Sequence, residues 1–312
     1  MGYRFAVTGA SGFVGRYVVR LAASLRAEVV GIVRSEAAAQ VVVADGGRGV
    51  VAPVLSADLL APALRDCRAV VHLAQIGSER DGLSYEAVNV DGTAAVAEAA
   101  QRAGVARVVL FSGLGVGHFG QKPRCTSRYF LSKLMAETVL YRSGLEAVVF
   151  RPSYIVGPGD GFVPALLRDL AAGPVERPGD GRYRMQPVAA RDAAACVLAS
   201  VEREKLEPSR AGEPRTAVYD LVGPEALSYQ HFLERLVAVA RAHGRDTELR
   251  VREVPVESAD AAARAGGFRG MGADELDCLL CDEVGETGPL EGLLGRFLTP
   301  LDEALGAVVR AL

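Results

Sequence analysis

Tyr129 and Lys133 stand four residues apart in Tyr129-Phe130-Leu131-Ser132-Lys133, within a stretch of helical character. Residues four apart share one helix face, so the Lys133 ammonium reaches the neighbourhood of the Tyr129 hydroxyl. A phenol with an ordinary pKa of about 10 is a poor base at neutral pH; a neighbouring cation lowers that value and makes a usable proton carrier. Only three of the 35 basic residues are lysines, Lys122, Lys133 and Lys205, which makes a lysine in this register more than surface decoration. The alternative is an exposed lysine on an amphipathic helix.

A second group opens the chain. Thr8-Gly9-Ala10-Ser11-Gly12-Phe13-Val14-Gly15 has G-x-x-G-x-x-G spacing between a strand and a helix. One glycine permits the tight turn, the next lets backbone N–H groups approach a pyrophosphate, and the last lets helix and strand pack closely. This is the turn of a dinucleotide site, with Gly9, Ser11, Gly12, Phe13, Val14 and Gly15 as its contacts. The acidic residue expected about 20 positions on, for the ribose 2′-hydroxyl, is absent. The second strand ends instead in Ile32-Val33-Arg34-Ser35. A guanidinium pairs bidentately with a 2′-phosphate, so Arg34 favours NADP(H), with NAD(H) the alternative because Glu36 lies close by.

The elements that must hold these groups are legible to about residue 155, where short β-branched runs alternate with Ala-rich, helix-length stretches. Strands are expected near 3–8, 28–33, 49–54, 69–74, 105–111 and 146–151, and helices near 13–25, 84–103 and 127–143. The segment 35–46 stays open between strand and helix, since Val41-Val42-Val43 favours the first and its Ala-rich approach the second. Beyond Pro152, prolines and glycines mark irregular connections where a substrate lobe begins. A helix at 190–203, a strand at 216–222 and a helix at 229–243 return the chain to the sheet, before helices near 256–265, 273–283 and 299–311. The expected fold is α/β: a Rossmann-type doubly wound parallel sheet over 1–155, completed by about 186–225, with a smaller, mostly helical C-terminal lobe over 156–312.

Composition excludes other classes. The 312 residues are 50% hydrophobic and 23% charged, too apolar for a disordered chain. A net charge of -3 leaves no basic surplus for nucleic acid. No apolar run approaches the roughly 20 residues that span a bilayer, and the N-terminus goes straight into a strand pattern, so neither membrane insertion nor a signal segment is expected. Five scattered cysteines fit a reducing compartment, and the cytoplasm is the expected location. Cys278 and Cys281 have ligand-like spacing without a second pair, so no metal site is expected.

The glycine turn and the Tyr-x-x-x-Lys pair together resemble the short-chain dehydrogenase/reductase superfamily. Further pieces narrow this to its extended and atypical, NAD-dependent epimerase/dehydratase-like branches: Asp58-Leu59, Val70-Val71-His72-Leu73-Ala74, Asn89-Val90-Asp91-Gly92-Thr93, Arg151-Pro152-Ser153, Val156-Gly157-Pro158-Gly159-Asp160 and Gln186-Pro187-Val188. The likeness covers residues 3–225. The later Asp274-Glu275-Leu276 and Gly295-Arg296-Phe297-Leu298-Thr299-Pro300 are similar to the group related to the NADPH-binding accessory subunit of respiratory complex I.

The resemblance implies that Asp58, with Leu59, contacts adenine, that Leu73 and Ala74 border the cofactor, and that Pro152 borders the nicotinamide. It further implies that Asn89 supports the catalytic relay, Tyr129 is the acid/base and Lys133 holds the nicotinamide ribose. The implied reaction moves a hydride between nicotinamide and a carbonyl or carbinol carbon of a small molecule, a sugar nucleotide or another carbonyl compound. By the same analogy, the helices at 84–103 and 127–143 pair in a homodimer, with a larger complex the alternative. One departure matters: Gly113 stands where active extended enzymes carry a second hydroxyl, and Ser112, Thr126 or Ser127 is left to replace it. Loss of one preorganised donor costs a few kcal/mol, on the order of a hundredfold in rate. The rival reading is therefore a catalytically weak NADPH-binding scaffold, redox sensor or complex-assembly subunit.

Overall fold

Side chains of a strand buried on both faces alternate between two apolar layers, and the first strands do so. In β1 (Arg4–Thr8), Phe5 and Val7 enter one layer and Ala6 the other. The sheet continues with α1 (Phe13–Ser24), β2 (Glu28–Val33), α2 (Glu36–Ala44), β3 (Arg48–Val51), α3 (Ala57–Leu64), β4 (Ala69–His72), α4 (Gly92–Ala103), β5 (Arg107–Phe111), α5 (Arg128–Arg142) and β6 (Glu146–Pro152). In β5, Val109 and Phe111 join the Phe5 layer while Val108 and Leu110 join the Ala6 layer. The computed structural model describes residues 3–204, 206 and 215–312, so Lys205 lies outside the described residues.

The second half interleaves short ribbons with helices: β7 (Ile155–Val156), α6 (Phe162–Ala172), β8 (Val175–Pro178), β9 (Arg184–Met185), β10 (Val188–Ala189), α7 (Ala190–Glu202), β11 (Thr216–Leu221), β12 (Leu227–Ser228), α8 (Tyr229–Ala242), β13 (Val251–Val254), α9 (Val256–Arg264), α10 (Ala273–Leu280), α11 (Gly288–Leu294) and α12 (Leu301–Ala311). Seven strands form one parallel sheet in the order β11-β6-β5-β4-β1-β2-β3. This is the doubly wound α/β sheet expected. One face is covered by α1, α2, α7 and α11 through Val18, Val42, Val197 and Leu290, and the other by α3, α4 and α5 through Leu60, Val96 and Leu140. A separate core around Phe232, Leu236, Leu276 and Leu305 joins α8, α10 and α12. The chain winds outward through β1 to β3 and restarts at β4 on the other side of β1, so a crevice opens at the carboxyl ends of β1 and β4.

One open segment is settled and three elements differ from expectation. The segment 36–44 is helix, because Ser35 caps it by accepting a hydrogen bond from the Ala38 N–H at 3.3 Å, and Ala39 and Val42 supply its buried face. A helix forms at α3, capped by Ser56, although Pro62 lies inside it. Pro164 hides α6 in the sequence, yet it sits in the first helical turn, where the missing N–H has no intrahelical partner. At the other end of the lobe α10 stops at Leu280, three residues short of the expected end, which leaves Glu283 outside the helix.

Two glycines separate steric from conformational cost. A Cβ on Gly15 would lie 2.3 Å from the Gly9 carbonyl oxygen and 2.8 Å from Ala10, whereas Gly104 meets nothing within 4 Å but has φ +73°. Gly15→Ala is expected to cost about 3 kcal/mol or more in urea unfolding, because backbone must shift, and Gly104→Ala about 1–2 kcal/mol, the cost of a left-handed φ for an L-residue. An equal cost at the two sites would contradict this account of the turn.

Candidate active site

The β1–α1 turn builds a cradle. Gly9 has φ +70°, and a Cβ there would fall 2.9 Å from both the Ala74 nitrogen and the Leu73 carbonyl carbon, so only glycine lets the turn lie on the end of β4. Gly12 caps α1 without a side chain, and the first turn of α1 holds no acidic residue. Its N–H groups are thus left free for an anion, which suits a pyrophosphate. The cradle is held by Thr8, whose hydroxyl hydrogen-bonds His72 Nδ1 at 2.7 Å and accepts from the Ala74 N–H at 3.3 Å. Burial drives the His72 pKa down to about 3, so this histidine is a neutral structural partner.

A cleft of about 360 Å³ runs from the cradle to α5 and is lined by Gly9, Gly12, Phe13, Val14, Gly15, Leu73, Gln75, Ser112, Tyr129, Lys133 and Pro152, among others. The turn and the Tyr-Lys pair, over a hundred residues apart in sequence, thus share one wall. Lys133 is buried, donates to the Phe111 carbonyl at 3.2 Å and to Gln75 Oε1, and holds its Nζ 5.5 Å from the centre of the Tyr129 ring. Its pKa falls to about 7, chiefly because burial disfavours the ammonium. Burial also pushes the Tyr129 phenol well above its ordinary value. This corrects the expectation that Lys133 lowers it: the cation lies over the ring, and desolvation dominates.

Asn89 does not line this cleft. It sits in a π-helical turn, Glu86–Asp91, that begins the helix expected from residue 84. Its amide donates to the Ile76 carbonyl and to Ser132 Oγ, each at 3.0 Å, and its Oδ1 accepts from the Ile76 N–H at 2.9 Å. Asn89 therefore fixes the loop after β4 to α5, and is a positioning residue for both Gln75 and Lys133.

A second cavity, about 640 Å³, meets the first at Gly77, Tyr129 and Pro152. Gly113, Ser153, Tyr154, Phe162, Leu166, Tyr229, Cys278 and Glu283 are among its lining residues. Tyr129 thus stands at the seam between a cradle for a dinucleotide and a largely apolar chamber. The model of the NAD dependent epimerase/dehydratase family matches residues 5–211, more than half of the chain.

The chain belongs to that family. Among curated relatives it is 31% identical to the ceramide reductase of Caulobacter vibrioides over 199 residues, 62% of this chain and 59% of that protein. It is 27% identical to a 4-hydroxy-2-methyl-3-oxo-4-farnesyl-3,4-dihydroquinoline-1-oxide ketoreductase of Stigmatella aurantiaca over 84% of this chain and 79% of that one. It is 26% identical to the mitochondrial NADH dehydrogenase [ubiquinone] 1 alpha subcomplex subunit 9 of Arabidopsis thaliana over 83% and 62%. The UDP-glucuronic acid 4-epimerase of Bacillus cereus, solved with UDP-glucuronic acid and NAD, superposes with a TM-score of 0.73 over 99% of this chain and 98% of that one at 18% identity, a likeness of fold.

Within this family member the structure separates the expected site residues. Ser11 shares the glycine turn, Ala74 packs against Gly9, and Arg34 is exposed just beyond the end of β2, whose Ile32 carbonyl accepts from the Gly9 N–H. Asp58 and Leu59 are not in the cleft: β3 ends at Val51, and both residues belong to α3, where the Asp58 carboxylate pairs with Arg102 of α4 at 2.6 Å. Ser112 lines the cleft, but its hydroxyl is sealed off and has no hydrogen-bond partner. It does not present the donor that Gly113 lacks. Ser127 is occupied as the cap of α5, accepting from the Phe130 N–H, and Thr126 lines neither cavity. Sequence reasoning missed Gln75, Tyr154 and Glu283, which carry no local motif.

Asn89→Ala takes away the partner of the part-buried Ile76 N–H and carbonyl and one of the two partners of the Ser132 hydroxyl, which keeps its bond to the Tyr129 carbonyl. It is expected to cost about 2–3 kcal/mol in urea unfolding and to speed hydrogen exchange at the Ile76 amide. A variant as stable as the parent, with the Ile76 amide equally protected, would remove the clamp from this account.

Proposed function

We propose that the chain is a reductase of small ketones that uses NADPH in preference to NADH. The position of Tyr129 carries this reading: its phenol, protonated at neutral pH, stands at the seam of the two cavities, where it can give its proton to a carbonyl oxygen held beside the cradle. The cradle residues Gly9, Gly12, Phe13, Val14 and Gly15 would hold the dinucleotide, Arg34 its 2′-phosphate, and Lys133 its nicotinamide ribose. A reduced nicotinamide bound there supplies the hydride. As the carbonyl carbon gains that hydride, Tyr129 Oη gives its proton to the carbonyl oxygen, and protonated Lys133 offsets the charge left on the phenolate until solvent returns a proton.

The second cavity favours a mostly apolar carbonyl compound over a sugar nucleotide. A diphosphate calls for uncommitted cations. Here Arg269 is engaged by Asp169 at 2.5 Å and by Tyr229, and Glu275 puts a carboxyl group on the wall, although Arg168 is exposed at the rim. If the protein pairs with itself through α4 and α5, Leu131 and Met135, each 42% exposed, are the apolar residues such a contact would cover.

Gly113 favours a second reading, in which bound NADPH is structural and the chemistry is vestigial. The two are separable because Gly113 can accept a side chain: a Cβ there meets Phe130 and Tyr129 carbons at 3.4–3.5 Å, ordinary contact. Gly113→Ser is expected to raise kcat for ketone reduction by on the order of tenfold to a hundredfold. An unchanged rate, with NADPH retained through purification and no hydride exchange, supports the scaffold. For the parent protein, kcat/KM for ketone reduction is expected to fall as pH rises through about 7, because Lys133 loses there the charge that offsets the phenolate. Tyr129→Phe should lower kcat at least about a hundredfold while leaving NADPH binding intact. Turnover that survives Tyr129→Phe, or a rate that climbs through neutral pH, would sink this role.

A further inference from the structure

Glu283 is the one buried carboxyl on the chamber wall to which no role has yet fallen. It leaves the end of α10 in an extended segment whose backbone is pinned, the Glu283 N–H donating to the Arg184 carbonyl at 2.9 Å. Ser153, just past β6, donates to Glu283 Oε2 at 3.2 Å while accepting from the Gln186 N–H at 3.3 Å. The other carboxyl oxygen, Oε1, makes no hydrogen bond among the described residues, and Glu283 lines the cavity that Tyr129 borders. Its titratable and polar neighbours are Cys125, Cys278, Cys281, Tyr129, Tyr154 and Ser153, and among the described residues no cation acts on it.

A carboxyl in such a place answers to one of two descriptions. An ionised one would be a buried charge without a counter-ion, costing several kcal/mol. A protonated one has an O–H to give and an oxygen to accept with, one side of it already engaged. Burial raises Glu283 to about 8, so the protonated form prevails at neutral pH, as in other sites where an apolar pocket keeps an acid neutral so that it can donate. The hydroxyl missing at Gly113 leaves the substrate short of one polar contact near Tyr129, and the Ser153–Glu283 pair is a protic group on the same chamber.

We propose that the Ser153–Glu283 pair is a substrate-recognition site whose free carboxyl oxygen hydrogen-bonds a second oxygen beside the reacting carbonyl, so that the preferred substrates are hydroxyketones rather than simple ketones. The inference rests on the reductase reading above, and its test keeps the two apart. Phenacyl alcohol and acetophenone differ only in that second oxygen. With NADPH, the parent protein should prefer phenacyl alcohol by about tenfold or more in kcat/KM, mainly through KM, since a site built to bond a hydroxyl rejects the analogue that lacks it. Glu283→Leu should collapse the preference to near unity, and Glu283→Gln, which keeps a donor and an acceptor, should retain most of it. Ser153→Ala, a smaller change that removes the anchor, should lower the preference as well, and stands in if the leucine variant does not fold.

Equal losses for both ketones in Glu283→Leu and Ser153→Ala, or a parent without preference, would overturn the proposal. Should neither ketone be reduced, the reductase reading falls, and calorimetric binding of styrene glycol against methylbenzyl alcohol still tests the pair. Tighter binding of the glycol by the parent, lost in Glu283→Leu, supports the proposal; equal binding of the two alcohols refutes it.

Discussion

The close approach of the first turn to the end of the fourth strand is the constraint on which the rest depends. Gly9 touches the backbone at Leu73 and Ala74 so closely that no side chain fits, and three strands are tied there: Gly9 N–H to Ile32, Leu73 N–H to Thr8, and Thr8 Oγ1 to His72. The contact sets the cradle, and it also sets the start of the loop that leaves β4. That loop brings Gln75 to Lys133 and Ile76 to Asn89. The Tyr-Lys helix is therefore placed relative to the glycine turn through a short chain of hydrogen bonds, each made by a residue whose backbone is already fixed.

The lobe is tied to the same helix by arginines. Arg124 bridges Asp260 of α9 and Asp277 of α10, and Asp274 accepts from the Arg128 N–H at the start of α5. Elsewhere Arg107 spans Glu146 and the carbonyls of Ser200 and Arg203, Arg151 holds buried Glu137, and Arg296 joins the Thr299 N–H on Asp192. A planar fork with five donors serves several acceptors at once, which an ammonium on a flexible stem does less well. The scarcity of lysine acquires a physical sense here. Of the two lysines among the described residues, Lys122 is exposed and Lys133 is buried, where a compact charge has its pKa drawn down to about 7.

How much of this is legible in sequence depends on whether the cause is local. The sheet was readable because alternation and β-branching are properties of each strand, and the turn because three glycines report three close approaches. Helices α3 and α6 were obscured by Pro62 and Pro164, since propensity speaks against a helix that packing of Leu60, Leu64, Leu166 and Leu170 enforces. Asp58 and Leu59 lie in α3, outside the lining of the cleft, so a contact with adenine rests on motif likeness alone. Glu283 had no mark at all, because its surroundings come from β6, α5 and α10, and only their assembly strips the carboxyl of water and of any cation.

Tyr129 and Lys133 show where a spacing argument reverses sign. Four-residue spacing says that the two groups meet, and Coulomb's law then says that the cation lowers the phenol. Both statements assume that the cation is free to be charged. In a buried pair the low dielectric charges a cost to each ion separately before it credits their attraction. Lys133, brought down to about 7, is only partly protonated at neutral pH, and its Nζ is turned to Gln75 and the Phe111 carbonyl rather than to the phenol oxygen. The attraction that should stabilise a phenolate is thus weak until a proton actually leaves Tyr129. An arrangement of that kind is better at donating a proton against a developing alkoxide than at holding a base in readiness. The motif is common to oxidation and reduction alike; desolvation decides only that the phenol rests protonated, and the ratio of reduced to oxidised partners decides which way the proton moves.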